Sequence, residues 1–433
     1  MKLTRINICD SVSLTAIKTD KFKTGMISFS LSLPMKREIS AYNMLLCGVL
    51  QRGCSSFPSI AEINKHLDEL YASTIDATCS RIAHNDMLTF TAEMIDNAFV
   101  KDNTDILDGV VHTVSELLLH PVLENGIFPE KTVSKEKITV QDSLRSAVNN
   151  PKLYAHIRCS ELLRYGNKEF PTIDEIFNII SSINTESLSD HYNKLIDNAS
   201  LNVFYIGSEN TERVASLIKT HFSKFRGKAN IPNSVLPEKF TELKEITEDF
   251  MASQGKLCMG FRSGVVCSDS EKYFATVLFN EIFGGSPASK LFMNVRETLG
   301  LCYYCSSSYD AYSGNITVSS GINVDTVEQT KLEILNQLED IKNGNITDAE
   351  LNAAKLSIYH CYRQIYDYPS DLFSFYSLRG MLGIEASPEE YLEKFEAVTR
   401  EQIIEIAKDV TLDTVFFLRG ILDEQEEDEE DSE

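Results

Sequence analysis

Thiols and histidines are the residues whose types first suggest chemistry here. Ten cysteines and eight histidines are spread over 433 residues. A thiol nucleophile needs an activating base beside it. Cys47 and Cys54 sit in NMLLCGVLQRGC (Asn43 to Cys54), yet no histidine falls within ten residues of either. The single Cys-x-x-Cys, Cys302 and Cys305 in LCYYC, has no second pair to complete four zinc ligands. In a regular strand its two sulfurs would fall on opposite faces. The histidines, at 66, 84, 112, 120, 156, 191, 221 and 360, form no His-x-x-x-His. His156 with Cys159, and His360 with Cys361, read as ordinary helix residues.

Composition narrows the classes. The net charge is −23; the tail DEQEEDEEDSE (Asp423 to Glu433) holds nine carboxylates, which leaves −14 on the rest. Phosphate binding needs clustered Lys and Arg, so nucleic acid is not an expected partner. Blocks of like charge repel themselves, and the tail is expected to be disordered. No apolar run approaches the roughly 18 residues of a membrane span. The first twenty residues, MKLTRINICDSVSLTAIKTD, alternate like a strand and lack the apolar core of a signal peptide. Without a secretion signal the cysteines are expected reduced, in a cytoplasm.

The elements that would position any site come twice. MISFSLSLPM (Met26 to Met35) alternates as a strand. A helix follows to Arg52-Gly53, then a second from about Ser59 to Leu70, two paired strands (YASTIDATCS and MLTFTAEM), long helices, and the closing strand SLNVFYIG. The second half repeats this order from KLCMGFRSG to TVFFLRG. Gly53 to Gly284 and Leu70 to Leu301 are both 231 residues apart, whereas Pro151 to Pro369 is 218 and Gly207 to Gly420 is 213. A shrinking offset is what two diverged copies of one domain produce. Thr172 with Glu175, Thr347 with Glu350, and Ser387-Pro388 with Glu390 are capping boxes that mark helix starts. Strands and helices in blocks argue α+β with largely antiparallel sheets. The expected division is 1–224, a linker 225–243, 244–422, and the tail 423–433.

The repeated order, together with GGSPASKLFMNVRETLGLCYYCSSS in the second half, resembles the insulinase (pitrilysin-type) metallopeptidases. The resemblance is to half-length members similar to the mitochondrial processing peptidase subunits, and it covers nearly the whole chain. It implies two homologous domains, each a largely antiparallel sheet packed with helices, arranged as a clamshell half. In active members a first-half helix carries His-x-x-Glu-His a few residues before Lys/Arg-Gly. Two His at i and i+4 share a helix face and bind zinc, and the Glu is the general base toward zinc-bound water. Counted back from Arg52-Gly53, the His positions fall on Met44 and Gly48 and the Glu on Cys47. The third ligand position falls on Ser143 within ITVQDSLRSAVNNP, or on Asp142 with a one-residue slip. Met is a poor zinc partner beside oxygen and nitrogen ligands, and Gly has no side chain. Leu45, Leu46, Val49 and Leu50 still keep the helix amphipathic.

In the second half the resemblance gives Arg296 and Tyr303 contact with the substrate backbone and the developing oxyanion, with Gly284-Gly285 as a turn near substrate. An Arg fork and a phenol donor suit a carbonyl that gains negative charge. The packing alternative is an Arg296 ion pair with Glu297 or another acid, Tyr303 as a strand residue on the sheet, and Gly284-Gly285 as a helix terminus. The resemblance thus implies a non-catalytic subunit of a heterodimeric peptidase. No metal is expected in this chain, zinc is expected in a homologous partner, and a peptide is the expected substrate. The isolated chain could form a homodimer through the same surface. The alternative is a non-enzymatic scaffold or peptide-binding protein of the same fold.

Overall fold

The computed structural model describes residues 1–82, 84–228 and 242–421. The tail 423–433 and most of the expected linker lie outside these residues. Eleven strands are described: β1 Lys2–Cys9, β2 Val12–Lys18, β3 Thr24–Pro34, β4 Thr74–Ile82, β5 Asn85–Ile95, β6 Ser200–Gly207, β7 Lys244–Phe250, β8 Gly255–Arg262, β9 Cys302–Asp310, β10 Asn315–Ile322 and β11 Thr411–Gly420. They form two sheets, ordered β1-β2-β6-β3-β5-β4 and β7-β11-β8-β10-β9. Leaving out β1, the orders match strand for strand. The one parallel pair of each sheet also falls at the same place, β2 with β6 and β7 with β11. Each sheet is packed with helices, so the α+β duplication read from the sequence is the observed architecture.

The compact units cut across the repeats. One comprises Met1–Leu144, Lys168–Asn233 and Tyr366–Ile384; the other comprises Arg145–Asn167, Ser234–Ile365 and Glu385–Glu433. Each repeat therefore lends one helix to the other unit. Strand patterning explains the need. In β3 the apolar residues Ile27, Phe29, Leu31 and Leu33 face the main core, and the serines between them are also buried. On that serine side, Phe204 of β6 lies opposite Ser28 and packs edge-on against Phe373 of the helix Pro369–Met381, with ring centroids 5.5 Å apart. In the second unit, Ala155, Cys159 and Leu163 of the helix Pro151–Leu163 pack on Cys258, Phe416 and Leu418 of β8 and β11. A Cβ on Gly260 of β8 would stand 2.8 Å from Leu163, so the glycine makes room for the borrowed helix.

A buried charge cluster fixes the same junction. Asp413 is the extra residue of a bulge in β11, between the pairs Leu412–Phe261 and Thr414–Gly260. Its fully buried carboxylate accepts from Arg262 Nε at 3.0 Å and Lys244 Nζ at 2.9 Å. Thr414 Oγ1 also donates to it, at 2.7 Å. The Arg262 guanidinium further donates to Asn315 Oδ1 at 2.7 Å and to the Leu163 carbonyl. Four strands and the borrowed helix thereby meet at one carboxylate.

In the first unit, buried His191 lies with Nε2 2.8 Å from Asn43 Oδ1, where the neutral ring donates. Burial, with Lys194 adding to it, lowers its pKa to about 4 from the ordinary 6.5. Below pH 6.5 the unfolded chain takes up a proton that the folded chain refuses. Stability should fall between pH 6.5 and 4 and level off below that, by at most about 3 kcal/mol. Urea titrations across this window check it, and His191→Gln should flatten the slope.

Candidate functional site

The helix Ile39–Leu50 turns Leu45, Leu46, Val49 and Leu50 into the core, as its pattern requires. Its opposite face borders a cavity of about 600 Å³. Met44, Cys47 and Gly48 line this cavity, with Cys79 of β4 and Ser143 of the helix Glu130–Asn149. The four positions aligned to the zinc motif are thus brought together, and Ser143, not Asp142, is the one that borders the space.

Zinc does not fit this donor set. Among the described residues no group of three or more His, Cys, Asp or Glu is placed to hold a metal ion. The place of a side chain at position 48 is taken: a Cβ there would stand 2.5 Å from Glu136 Oε2. The buried Glu136 carboxylate pairs with Arg52, whose Nε lies 2.5 Å from Oε1. Sequence reasoning used Arg52 only as a landmark and passed over Glu136. The signal was there, since Glu136 precedes Ser143 by seven residues, two turns along one helical face.

Gly48→Ala tests this packing. In an exposed helix it would stabilise by about 1 kcal/mol. Here the methyl must displace a buried, paired carboxylate, and a net loss of about 1–3 kcal/mol in urea unfolding is expected. In Gly48→Ala/Glu136→Ala the added cost of the methyl should vanish.

Cys47 and Cys54 are poorly suited to nucleophilic work. A hydrogen bond to Cys79, together with burial, raises Cys47 well above the ordinary thiol range, and the same bond lowers Cys79. Burial raises Cys54. A thiol held protonated is neither a good nucleophile nor a good ligand.

The second-half motif is built differently. The helix Tyr273–Asn280 runs into wide π-type turns over Glu281–Gly285, and a second π-type segment covers Leu291–Thr298. A Cβ on Gly284 would stand 2.7 Å from the Ser307 backbone N of β9, and one on Gly285 would stand 2.8 Å from Asn280 Nδ2. Close packing thus explains both glycines. Arg296, 39% exposed at its side chain, lies with its guanidinium carbon 4.6 Å from the Phe292 ring centroid and Nη1 3.5 Å from Glu297 Oε1. At that exposure the pair with Glu297 contributes little.

Tyr303 is the extra residue of a bulge in β9, because Gly321 pairs with Tyr304 and Ile322 with Cys302. The bulge corrects the expectation for the Cys-x-x-Cys. Cys302 and Cys305 are both buried and hydrogen-bond each other, rather than projecting to opposite faces. That bond lowers Cys302, with Arg296 adding to the effect, and raises Cys305. Bulges re-aim side chains, and here Tyr303 is left 50% exposed. Its hydroxyl donates to Asn323 Oδ1 at 2.9 Å. Tyr304 is instead held inward, with Lys152 Nζ 4.4 Å from its ring centroid.

Known proteins give this geometry its context. The family model described as "Peptidase M16 inactive domain" matches residues 182–358. The "Probable inactive metalloprotease YmfF" of Bacillus subtilis is 29% identical over 405 residues, covering 93% of this chain and 95% of that one. The "Uncharacterized zinc protease YmxG" of the same organism is 26% identical over 235 residues, covering 53% of this chain and 56% of that one. A crystal structure of a conserved protein from Enterococcus faecalis is 25% identical, with a TM-score of 0.90 over 97% of this chain and 99% of that one. An M16 inactive-domain structure from Pseudomonas fluorescens shares the fold at 15% identity, with a TM-score of 0.79 over 98% and 99%. With the duplicated sheets, these matches make the chain similar to the insulinase-type M16 peptidases, to members described as inactive and to zinc proteases related to them.

Proposed function

We propose that this chain is the non-catalytic subunit of a two-chain zinc peptidase, supplying the substrate-binding half of the cleft to a homologous partner that carries His-x-x-Glu-His and the metal. The observation that carries the reading is an asymmetry within one chain. In the first half the Glu136–Arg52 pair takes the side-chain place at Gly48 and no metal-binding group stands among the described residues, while Arg296 and Tyr303 of the second half stay part-exposed beside the close-packed Gly284-Gly285. In the assembly Arg296 and Tyr303 donate to the substrate carbonyl as it gains negative charge, and Gly284-Gly285 borders the peptide. Zinc and the general base belong to the partner. The 1–224 and 244–422 halves act as paired homologous domains.

The test is capture of the tagged chain from its source cell, with zinc and peptide hydrolysis measured on the captured material and on the chain alone. The expected result is a similar-sized His-x-x-Glu-His protein, about one zinc per pair, and cleavage only by the pair. Zinc bound stoichiometrically to the isolated chain, or a captured pair that hydrolyses no peptide, would overturn the reading. The second outcome would instead support a scaffold role, which the hydrogen bond tying Tyr303 to Asn323 favours. Sedimentation of the isolated chain separates monomer from homodimer.

A further inference from the structure

A second cavity, of about 780 Å³, lies wholly within the first unit and shares no lining residue with the Met44 pocket. That volume is within the range of small-molecule sites. Its floor includes Ser200, the first residue of β6, which pairs with Ser32 of β3. Ser200 is 6% exposed, and its buried hydroxyl has no hydrogen-bond partner among the described residues. Buried hydroxyls are nearly always satisfied, so an orphan on a cavity-lining residue calls for a partner.

The cavity's charges point to the occupant's chemistry. Lys36, Lys194 and Lys228 all border it. None of the three pairs with a carboxylate among the described residues, although the chain holds 64 Asp and Glu against 41 Lys and Arg. Lys228 is held at the Ser200 end, and Lys194 belongs to the helix that leads into it. Lys228 Nζ donates to Asn198 Oδ1 at 2.7 Å and its backbone N–H to the Ala199 carbonyl at 3.1 Å. Lys194 stands one turn before Asn198 on the helix Thr185–Asn198. Helix C-termini attract cations, which accounts for one lysine near this end. It accounts neither for the second, brought in from residue 228, nor for the orphan hydroxyl.

The rest of the lining limits the ligand. Leu33, Ile39 and Tyr42 supply an apolar wall, and Glu38 and Asp190 add negative charge. Those two carboxylates disfavour polyanions and leave room for one oxyanion. We infer that this cavity binds a small organic anion, one carboxylate or phosphate group on an apolar body, with the oxyanion on Lys194, Lys228 and the Ser200 hydroxyl. The site is independent of any partner chain or zinc.

Calorimetric titration of the full chain with phenyl phosphate, benzoate and inorganic phosphate tests this. One-to-one saturable binding of phenyl phosphate or benzoate is expected, weakening as salt rises, with inorganic phosphate weaker than phenyl phosphate. The tighter of the two aromatic probes identifies the head group as phosphate or carboxylate. Lys194→Gln/Lys228→Gln should weaken binding at least tenfold, and Ser200→Ala severalfold with unchanged circular dichroism. Absence of saturable binding for all three probes, or affinity indifferent to both the lysine pair and Ser200, would overturn the assignment. So would a crystal grown with phenyl phosphate in which water alone occupies the Ser200 hydroxyl.

Discussion

Asp413→Ala should lower the stability of the chain by about 3–5 kcal/mol in denaturant unfolding, the largest single-residue effect expected here. The substitution removes the one carboxylate that answers both Arg262 and Lys244 inside the second unit. Arg262 is 7% exposed at its side chain and cannot turn to water, so the loss of the Asp413 carboxylate is not made good by solvent. Lys244, at 12%, lies nearer solvent and recovers part of the loss. Breaking a buried pair differs from deleting it whole. Replacing Arg262, Lys244 and Asp413 together by apolar residues of similar volume should cost far less than Asp413→Ala, because no buried charge then lacks its partner. A loss under about 1 kcal/mol for Asp413→Ala would mean that solvent reaches the cluster.

The second large effect is catalytic and rests on the two-chain reading. In the mixed assembly Arg296→Ala should reduce kcat by about 10²–10³-fold, the scale for removing one donor to a developing oxyanion. Zinc content and association of the two chains should stay unchanged. Arg296→Lys should restore the charge but not the fork, and so recover only part of the rate. Tyr303→Phe removes one donor and frees Asn323, and should slow the same step. Rates within twofold of the parent for Arg296→Ala would assign Arg296 to its contacts with Phe292 and Glu297 alone.

Much of the fold was legible because it is periodic. The alternation in Met26 to Met35, the matching offsets of the two glycine landmarks, and three capping boxes each correspond to an observed element. β7 was not legible: KEITEDF is charged and largely exposed, held at a sheet edge by its parallel pairing with β11. Edge strands carry charge to prevent further pairing, which erases the apolar signal of a strand. Residue types alone gave the expectation of no metal site, from Met44, Gly48 and Ser143 at the ligand positions and Cys47 at the base position that the resemblance implies. The helical spacing of Glu136 and Ser143 was legible too, but the pairing of Glu136 with Arg52 was not, because the two meet only in the folded chain. Nor was the position of Tyr303, since a bulge depends on the partner strand and Cys-x-x-Cys spacing assumes a regular one. The exchange of helices between units escaped for the same reason: both helices look like ordinary members of their own repeat.

That exchange has a consequence for how the chain is made. Synthesis delivers the helix Pro151–Leu163 long before β8 and β11, the strands whose apolar face it covers. It delivers the first sheet long before Pro369–Met381, the helix that seats Phe373 on Phe204. On the ribosome, therefore, the N-terminal half can assemble its main core, but a fragment ending at residue 228 carries one unpartnered helix and one uncovered sheet face. Uncovered surfaces of this kind are where nascent chains stick to one another. Both units complete only when the last third of the chain has emerged, so the covering of each sheet by its borrowed helix is a late event.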